Sequence, residues 1–178
     1  MSDPTPAERT PRPPITVRLS TDDDLPFMWE MLYLAAFVDE ATRESWRKMA
    51  SSPLAKYLEG WGRVGDAGVV AVGDDGAPVG AAWYRLFAPD KRGEGILALP
   101  GTPELSIAIV EGHRGRGIGR EMLLALIRLA REASFAQMLL SVDPANVKAI
   151  RLYERVGFQL AYEGDPHAGT SLNMLLRL

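Results

Sequence analysis

Residues 113–122 read HRGRGIGREM, a stretch that contains three glycines and three arginines. It follows the apolar run ELSIAIV of residues 104–110, which is typical of a strand. Beyond it, apolar side chains recur at helical spacing at Ile118, Met122, Leu126, Leu129 and Ala133. The stretch therefore joins a predicted strand to the start of a predicted helix. Helix N-termini attract anions and glycine permits close backbone approach, so the stretch predicts a site for a phosphate-bearing cofactor.

Two common phosphate-binding loops do not fit this stretch. The dinucleotide-binding pattern G-x-G-x-x-G needs a glycine where the chain has Arg120 or Met122. The P-loop needs Gly-Lys followed by Ser or Thr, and the sequence contains no Gly-Lys pair. A nucleotide-binding enzyme of either type is therefore disfavoured.

The remaining pattern predicts a single mixed α/β domain. Residues 15–19 alternate like a half-buried strand, and Ser20 or Thr21 can cap a helix whose first turn is acidic. Short helices are predicted over residues 42–49 and 53–59, followed by the hairpin GVVAV-GDDGAP-VGAAWYRLF. After the long helix come a strand MLLSV, a short helix ended by Gly157, and the strands FQLAYE and SLNMLLRL. The predicted order is β-α-α-β-β-β-α-β-α-β-β.

Composition limits the function classes. The net charge is -3 and no long basic block occurs, which argues against nucleic-acid and membrane-surface partners. The absence of cysteine excludes disulfides, thiolate metal sites and cysteine nucleophiles, and two histidines argue against a histidine metal centre. The apolar runs are shorter than the ~20 residues of a membrane-spanning helix. We expect a disordered Pro-rich leader at residues 1–14, one domain at residues 15–178, and a cytoplasmic location.

Two motifs in the second half of the chain carry a family resemblance. The pattern R-x-x-G-x-G is present at Arg114, Gly117 and Gly119. One helix and one strand later, NVKAIRLYERVGF contains N-x-x-A-x-x-x-Y-x-x-x-G-F, from Asn146 to Phe158. In this order the motifs resemble those of the GNAT superfamily of acyl-CoA-dependent N-acetyltransferases. The resemblance implies the GNAT-like acyl-CoA N-acyltransferase fold, a mostly antiparallel sheet flanked by helices.

The resemblance also implies acetyl-CoA as the cosubstrate, with no metal. Main-chain groups of Ile109 and Val110 are expected to pair with the pantetheine arm, and Asn146 to contact the same arm besides capping its helix. Glu111 and Gly112 stand where the family often has proline before the loop, a difference expected to affect the exit of the strand and not phosphate binding. The remaining expected coenzyme ligands form the pyrophosphate loop: Arg114, Gly115, Arg116, Gly117, Ile118 and Gly119.

Acetyl transfer to an amine by direct attack in a ternary complex needs a proton acceptor and a proton donor. Tyr153 matches the family's donor to the leaving sulfur, although its helix face also suits a core aromatic. Glu104 opens the predicted strand and is the preferred base, directly or through a water, the alternative being an exposed strand-start glutamate. Alternation puts Ser106 on the same face as Glu104. His167, in the loop GDPHAGT, is the second candidate base.

The acceptor is expected to be a primary amine of a small molecule or a peptide, and a homodimer is the expected assembly. Aromatic and acidic side chains of the first helices could hold a cationic amine, although helical spacing also suits a core. The alternative function is a non-catalytic acyl-CoA-binding sensor or structural module. The candidate acceptor residues are Trp29, Tyr33, Phe37, Asp39, Glu40, Trp46 and Trp61.

Overall fold

The computed structural model describes residues 14–47, 54–87, 99–161 and 171–178. The strands are β1 (Thr16–Leu19), β2 (Ala67–Val72), β3 (Pro78–Arg85), β4 (Glu104–Ile109), β5 (Gln137–Val142), β6 (Gln159–Leu160) and β7 (Leu172–Arg177). The helices are α1 (Leu25–Ala35), α2 (Glu40–Arg47), α3 (Ile118–Glu132) and α4 (Val147–Arg155), with 3-10 turns at Asp22–Asp24 and Ala55–Tyr57. None of the described helices is both long and apolar enough to cross a bilayer.

The described strands form one sheet in the order β1-β2-β3-β4-β5-β7-β6. Neighbouring strands are antiparallel except β4 and β5, which are parallel and joined through α3. The predicted mixed α/β fold, its mostly antiparallel sheet and the predicted element order are confirmed. The expected leader lies almost entirely in residues 1–13, outside the described residues.

Three boundaries differ from the predictions. Helix α2 begins at Glu40, two residues early, because the Asp39 carboxylate accepts hydrogen bonds from the N–H and hydroxyl groups of Thr42. The helix predicted over residues 53–59 is a single 3-10 turn in its described part. The strand predicted from FQLAYE reduces to the two residues of β6, and residues 162–170 lie outside the described part of the chain.

The two faces of the sheet bury separate clusters. One face packs against α3, where Met122, Leu123 and Leu126 are fully buried. The other packs against α1, with Met28 and Trp83 fully buried. Burying each such side chain contributes about 1.5–3 kcal/mol before the entropy of ordering is subtracted. The sheet is therefore covered on both sides, and each face of β4 looks toward a different helix.

Strands β4 and β5 pair at one position only. Glu104 is opposite Leu139, and the Leu139 N–H group donates to the Pro103 carbonyl at 2.9 Å. Each strand has six residues, whereas β3 and β4 pair over six positions. Among the described residues, the rest of β4 therefore faces β5 across a gap that opens toward its carboxyl end. The start of helix α3 lies near that end, because a Cβ atom on Gly119 would be 3.3 Å from the Ile109 side chain.

The first turn before α1 contains an ion pair, between the buried Asp24 and the exposed Arg18, that the sequence did not predict. Arg18 donates to both oxygens of Asp24 at 2.7 and 2.8 Å, and the Thr21 N–H group donates to the same carboxylate. The hydrogen bond from Arg18 is the main reason that the pKa of Asp24 falls to about 2. The acidic first turn is therefore an anchor between β1 and α1 as well as a helix start.

We expect this anchor to make stability depend on pH in the acid range. The folded pKa of Asp24, about 2, lies below the ~3.9 of an unfolded aspartate. The stabilisation is therefore present above pH ~4 and is lost as the pH falls through about 2. Urea unfolding of the wild type and Asp24→Asn should show a difference in unfolding free energy at pH 6 that shrinks toward pH 2. A difference that does not change with pH would contradict this assignment.

Candidate active site

The glycine loop ends in a helix N-terminus with unpaired amides. Gly115 and Gly117 have φ angles of 73° and 85°, a left-handed conformation that only glycine adopts readily, and Gly117 is the N-cap of α3. The first bond of the helix runs from the Glu121 N–H group to the Gly117 carbonyl. The amides of Ile118, Gly119 and Arg120 therefore have no acceptor within the helix, as an anion site requires.

The last two predicted loop residues are buried. A Cβ atom on Gly119 would lie 3.0 Å from the Leu152 side chain and 3.3 Å from that of Ile109, so glycine lets α3 pack closely against α4 and β4. The side chain of Ile118 is 2% exposed and belongs to the core. Only the main-chain groups of these two residues can contribute to a ligand site.

The loop arginines are already oriented by the protein. The Arg114 Nε atom donates to the Ile109 carbonyl at 3.1 Å, which ties the loop to the end of β4. The Arg116 guanidinium lies 3.2 Å from Nδ1 of His113. Both side chains therefore concentrate positive charge beside the free amides of α3.

The structure separates Ile109 from Val110, which the sequence analysis treated alike. The Val110 N–H group donates to the Val79 carbonyl at 2.9 Å, and the Val110 carbonyl accepts from the N–H group of His113. The expectation that Val110 offers free main-chain groups is therefore corrected. In an antiparallel ladder the bonding direction alternates, so the main-chain groups of Ile109 point away from β3 and toward the gap.

Helix α4 begins and ends as its motif predicts. The Asn146 side chain accepts from the Ala149 N–H group at 3.2 Å, which confirms the N-cap. Tyr153 is 7% exposed and packs edge-on against Phe158, with ring centroids 5.9 Å apart. Burial raises the pKa of Tyr153 to about 12, so the phenol keeps its proton at neutral pH. The residue is thus a core aromatic that remains a hydrogen-bond donor.

Glu104 is buried, with 4% of its surface exposed. The alternative that it is an exposed strand-start residue is therefore wrong. The Tyr57 hydroxyl donates to its Oε1 atom at 2.9 Å. The predicted alternation in β4 is confirmed, because Leu105 packs in the α3-side cluster and Ala108 in the α1-side cluster. His167, the second candidate base, lies outside the described residues.

The proposed donor and acceptor of protons lie on opposite sides of the sheet. Tyr153 belongs to the cluster on the α3 side. Glu104 shares its strand face with Ala108, on the α1 side, and pairs with Leu139 where the gap begins. A group placed in the gap can therefore be approached from both faces. Outside the gap, the sheet lies between the two side chains.

The candidate acceptor residues divide into separate groups. The ring of Tyr33 contacts those of Trp29 and Trp46, with centroids 6.1 and 6.4 Å apart respectively. Asp39 caps α2, and Trp61 lies 5.5 Å from the Arg85 guanidinium, so both have structural partners. The side chain of Phe37 is 66% exposed, and Glu40 forms an ion pair with Arg43.

Sequence reasoning missed the side chains around Glu104. Arg85 is 1% exposed and donates to both oxygens of Asp66 and to the carbonyls of Lys56 and Glu59. These partners lie 19 to 29 residues away, so no local motif joins them. The available signal was an arginine inside the otherwise apolar strand VGAAWYRLF.

Comparisons with known proteins show which sequences and folds this chain resembles. A family profile described as the acetyltransferase (GNAT) family matches residues 34–158. Mycothiol acetyltransferase of Thermobispora bispora is 30% identical over 130 residues, which cover 73% of this chain and 41% of that protein. The chain therefore spans less than half the length of this relative.

Two solved structures share the fold. The structure of yncA from Salmonella typhimurium, which holds its cofactor acetyl-CoA, has a TM-score of 0.65 at 24% identity and covers 92% of this chain and 94% of its own. The ribosomal-protein-alanine N-acetyltransferase of Brucella melitensis also has a TM-score of 0.65, at 27% identity, and covers 92% and 99% of the two chains.

Proposed function

Because the chain belongs to the GNAT family of acetyltransferases, we propose that it moves an acetyl group from acetyl-CoA to a primary amine by direct attack in a ternary complex. The observation that carries the proposal is the gap between β4 and β5, with unpaired α3 amides at its open end. If the pyrophosphate of acetyl-CoA binds at the α3 amides, the pantetheine arm and the thioester can extend from there into the gap between β4 and β5.

The coenzyme site in this proposal follows the loop and the strand edge. The amides of residues 115–119 and the side chains of Arg114 and Arg116 hold the pyrophosphate. The main-chain groups of Ile109 bind the pantetheine arm, and Asn146 contacts it from the start of α4. When bound, acetyl-CoA supplies an acetyl thioester at the closed end of the gap.

The reaction forms a C–N bond and breaks the C–S bond of the thioester. The attacking amine loses a proton toward Glu104, and the leaving sulfur receives a hydrogen bond and then a proton from Tyr153. The pKa of Tyr153, about 12, is above the ~8.5 of a thiol in water, and this difference disfavours complete transfer of the proton from the phenol to the sulfur. An apolar site also raises the pKa of a thiol, and this narrows the difference.

The acceptor is proposed to be a primary amine of a small molecule or a peptide. Acetyltransferases similar to this chain are named for mycothiol and for the alanine of a ribosomal protein, so both sizes of acceptor occur among them. One domain over residues 15–178, a cytoplasmic location and a homodimer complete the proposal. The sensor alternative differs from it in one respect, the absence of turnover.

A panel of amines tests the function directly. The protein is incubated with acetyl-CoA and each amine, and release of free thiol is measured against a blank without amine. Amine-dependent release is the expected result. Calorimetric binding of acetyl-CoA with no release above the blank for any small or peptide amine would favour the sensor, and no binding would contradict both functions.

Replacement of Glu104 by glutamine is expected to lower turnover mainly at pH values where the amine is protonated. The amine has a pKa of ~10.4, so rising pH supplies neutral amine and should partly rescue the variant. The pH profile of turnover is compared with that of Glu132→Gln, an exposed glutamate at the end of α3. Wild-type behaviour of Glu104→Gln together with lost activity in His167→Ala would transfer the role to His167.

A further inference from the structure

The buried Arg85 of β3 holds the segment Leu54–Trp61 by hydrogen bonds, and Arg85 lies opposite Glu104 at the start of β4. The Nη1 atom of Arg85 donates to the carbonyls of Lys56 and Glu59, each at 2.8 Å. Its Nε and Nη2 atoms donate to Asp66 at 3.0 and 2.7 Å, which balances the buried charge. The backbone on both sides of Tyr57 is therefore held in one place relative to β3.

With the segment held in this way, the Tyr57 side chain contacts Glu104. The hydroxyl donates to Oε1 at 2.9 Å, and the ring packs edge-on against Phe87, with centroids 5.4 Å apart. The Lys56 ammonium lies 5.0 Å from the Tyr57 ring centroid and 5.8 Å from that of Phe87. The titratable and charged groups near Glu104 include Tyr57 and Lys56 on the segment and Arg85, which pairs with Asp66 and lies opposite Glu104 on β3.

Groups of this kind influence the protonation of a buried carboxylate. Burial alone favours the neutral acid, whereas a hydrogen-bond donor and a nearby cation favour the ionised form. Burial, together with the Glu104 charge, raises the pKa of Tyr57 well above its usual value, so its hydroxyl stays a donor at every working pH. Burial lowers the pKa of Lys56, and Glu104 opposes that change by favouring the ammonium.

We propose that Tyr57 is a positioning residue for the proton-accepting carboxylate of Glu104. Its hydroxyl keeps Glu104 ionised near neutral pH and fixes the orientation of Oε1, while Arg85 fixes Tyr57. This inference rests on the proposed function, since it assigns a partner to the proposed base. It adds a residue 47 positions away in sequence from the carboxylate that it serves.

The test compares Tyr57→Phe with Tyr84→Phe. Both changes remove one phenolic oxygen from a ring that packs edge-on against a phenylalanine, but Tyr57 is half-buried, whereas Tyr84 is buried in the cluster on the α3 side of the sheet. Tyr57→Phe is expected to move the acid limb of the turnover profile about one pH unit upward, because the carboxylate loses a donor to its charged form. Turnover well above that limb should approach the wild-type value.

A merely structural role of Tyr57 predicts a different profile. It would lower turnover by a similar factor at all pH values and leave the acid limb in place, which would overturn the proposal. Tyr84→Phe is expected to keep the wild-type acid limb. Lys56→Met, which removes the nearby cation, is expected to shift the limb in the same direction as Tyr57→Phe.

A second measurement does not depend on catalysis. Protein labelled with 13C at the glutamate carboxyl carbons is titrated by NMR, and the Glu104 signal is the one missing from Glu104→Gln. Its midpoint should rise by about one pH unit in Tyr57→Phe and stay unchanged in Tyr84→Phe. Equal midpoints in the wild type and Tyr57→Phe would overturn the inference. If the midpoint shifts but no amine yields thiol, the proposed function fails while the Tyr57–Glu104 coupling holds.

Discussion

Acetyl-CoA affinity should fall about 100-fold or more when Gly117 is replaced by valine. Gly117 has a φ of 85° and is the N-cap of α3, and a β-branched residue adopts that conformation only with strain. We expect the loop to move, so that the α3 amides no longer converge on one anion. Each lost hydrogen bond to a charged group costs about 1.5–3 kcal/mol, and 1.4 kcal/mol is a factor of ten.

The matched control for this variant is Gly76→Val. Gly76 has a φ of 79° in the turn between β2 and β3, and a Cβ atom there, as at Gly117, would meet nothing within 4 Å. Both variants carry the same kind of backbone strain, so thermal unfolding should show similar losses of stability. Calorimetric titration with acetyl-CoA should separate them. Wild-type affinity in Gly117→Val, or an equal loss in Gly76→Val, would contradict the proposed coenzyme site.

Turnover should fall about 100-fold when Tyr153 is replaced by phenylalanine, with acetyl-CoA affinity nearly unchanged. The ring continues to pack against Phe158, and only the oxygen that we propose as the donor to the leaving sulfur is removed. Loss of a general acid typically costs 10²–10⁴-fold. Because burial holds the pKa of Tyr153 near 12, the group is protonated throughout the working range, and the loss should be similar at pH 6 and pH 9.

Tyr84→Phe serves as the control for Tyr153→Phe, since Tyr84 is a buried tyrosine in the same cluster with no proposed role in the reaction. Single-turnover measurements at saturating substrate separate the chemical step from product release. Full turnover in Tyr153→Phe under those conditions would show that Tyr153 is only a core residue. A drop in Tyr153→Phe that Tyr84→Phe reproduces would point to a general loss of packing instead.

The sequence was sufficient to predict those features whose physical cause lies within one short stretch of residues. The apolar period of residues 118–133 predicted α3, and the Asn146 motif predicted a cap that the structure shows. Gly115 and Gly117 have left-handed conformations, which depend on the residue itself and which glycine adopts readily. Alternation along β4 correctly put Glu104 and Leu105 on opposite faces.

Pairing between distant segments was not readable in the same way. Val110 looked equivalent to Ile109 until the β3–β4 register showed that its N–H group belongs to the ladder. Glu104 could be placed on a face, but its burial and its bond to Tyr57 depend on a segment that Arg85 holds from another strand. Such contacts join residues tens of positions apart, and no periodicity records them.

The sequence by itself therefore determined the order of elements, the glycine loop before α3 and the family, because helix caps, glycine conformations and apolar periods are local properties. Only the tertiary structure decided that β4 and β5 separate beyond Glu104 and that Tyr153 and Glu104 lie on opposite faces of the sheet at the gap. It also decided that the Tyr57 hydroxyl donates to the Glu104 carboxylate. The reason is physical. A buried charge is stabilised by the hydrogen-bond donors that the folded chain brings to it, and these come from segments that are distant in sequence.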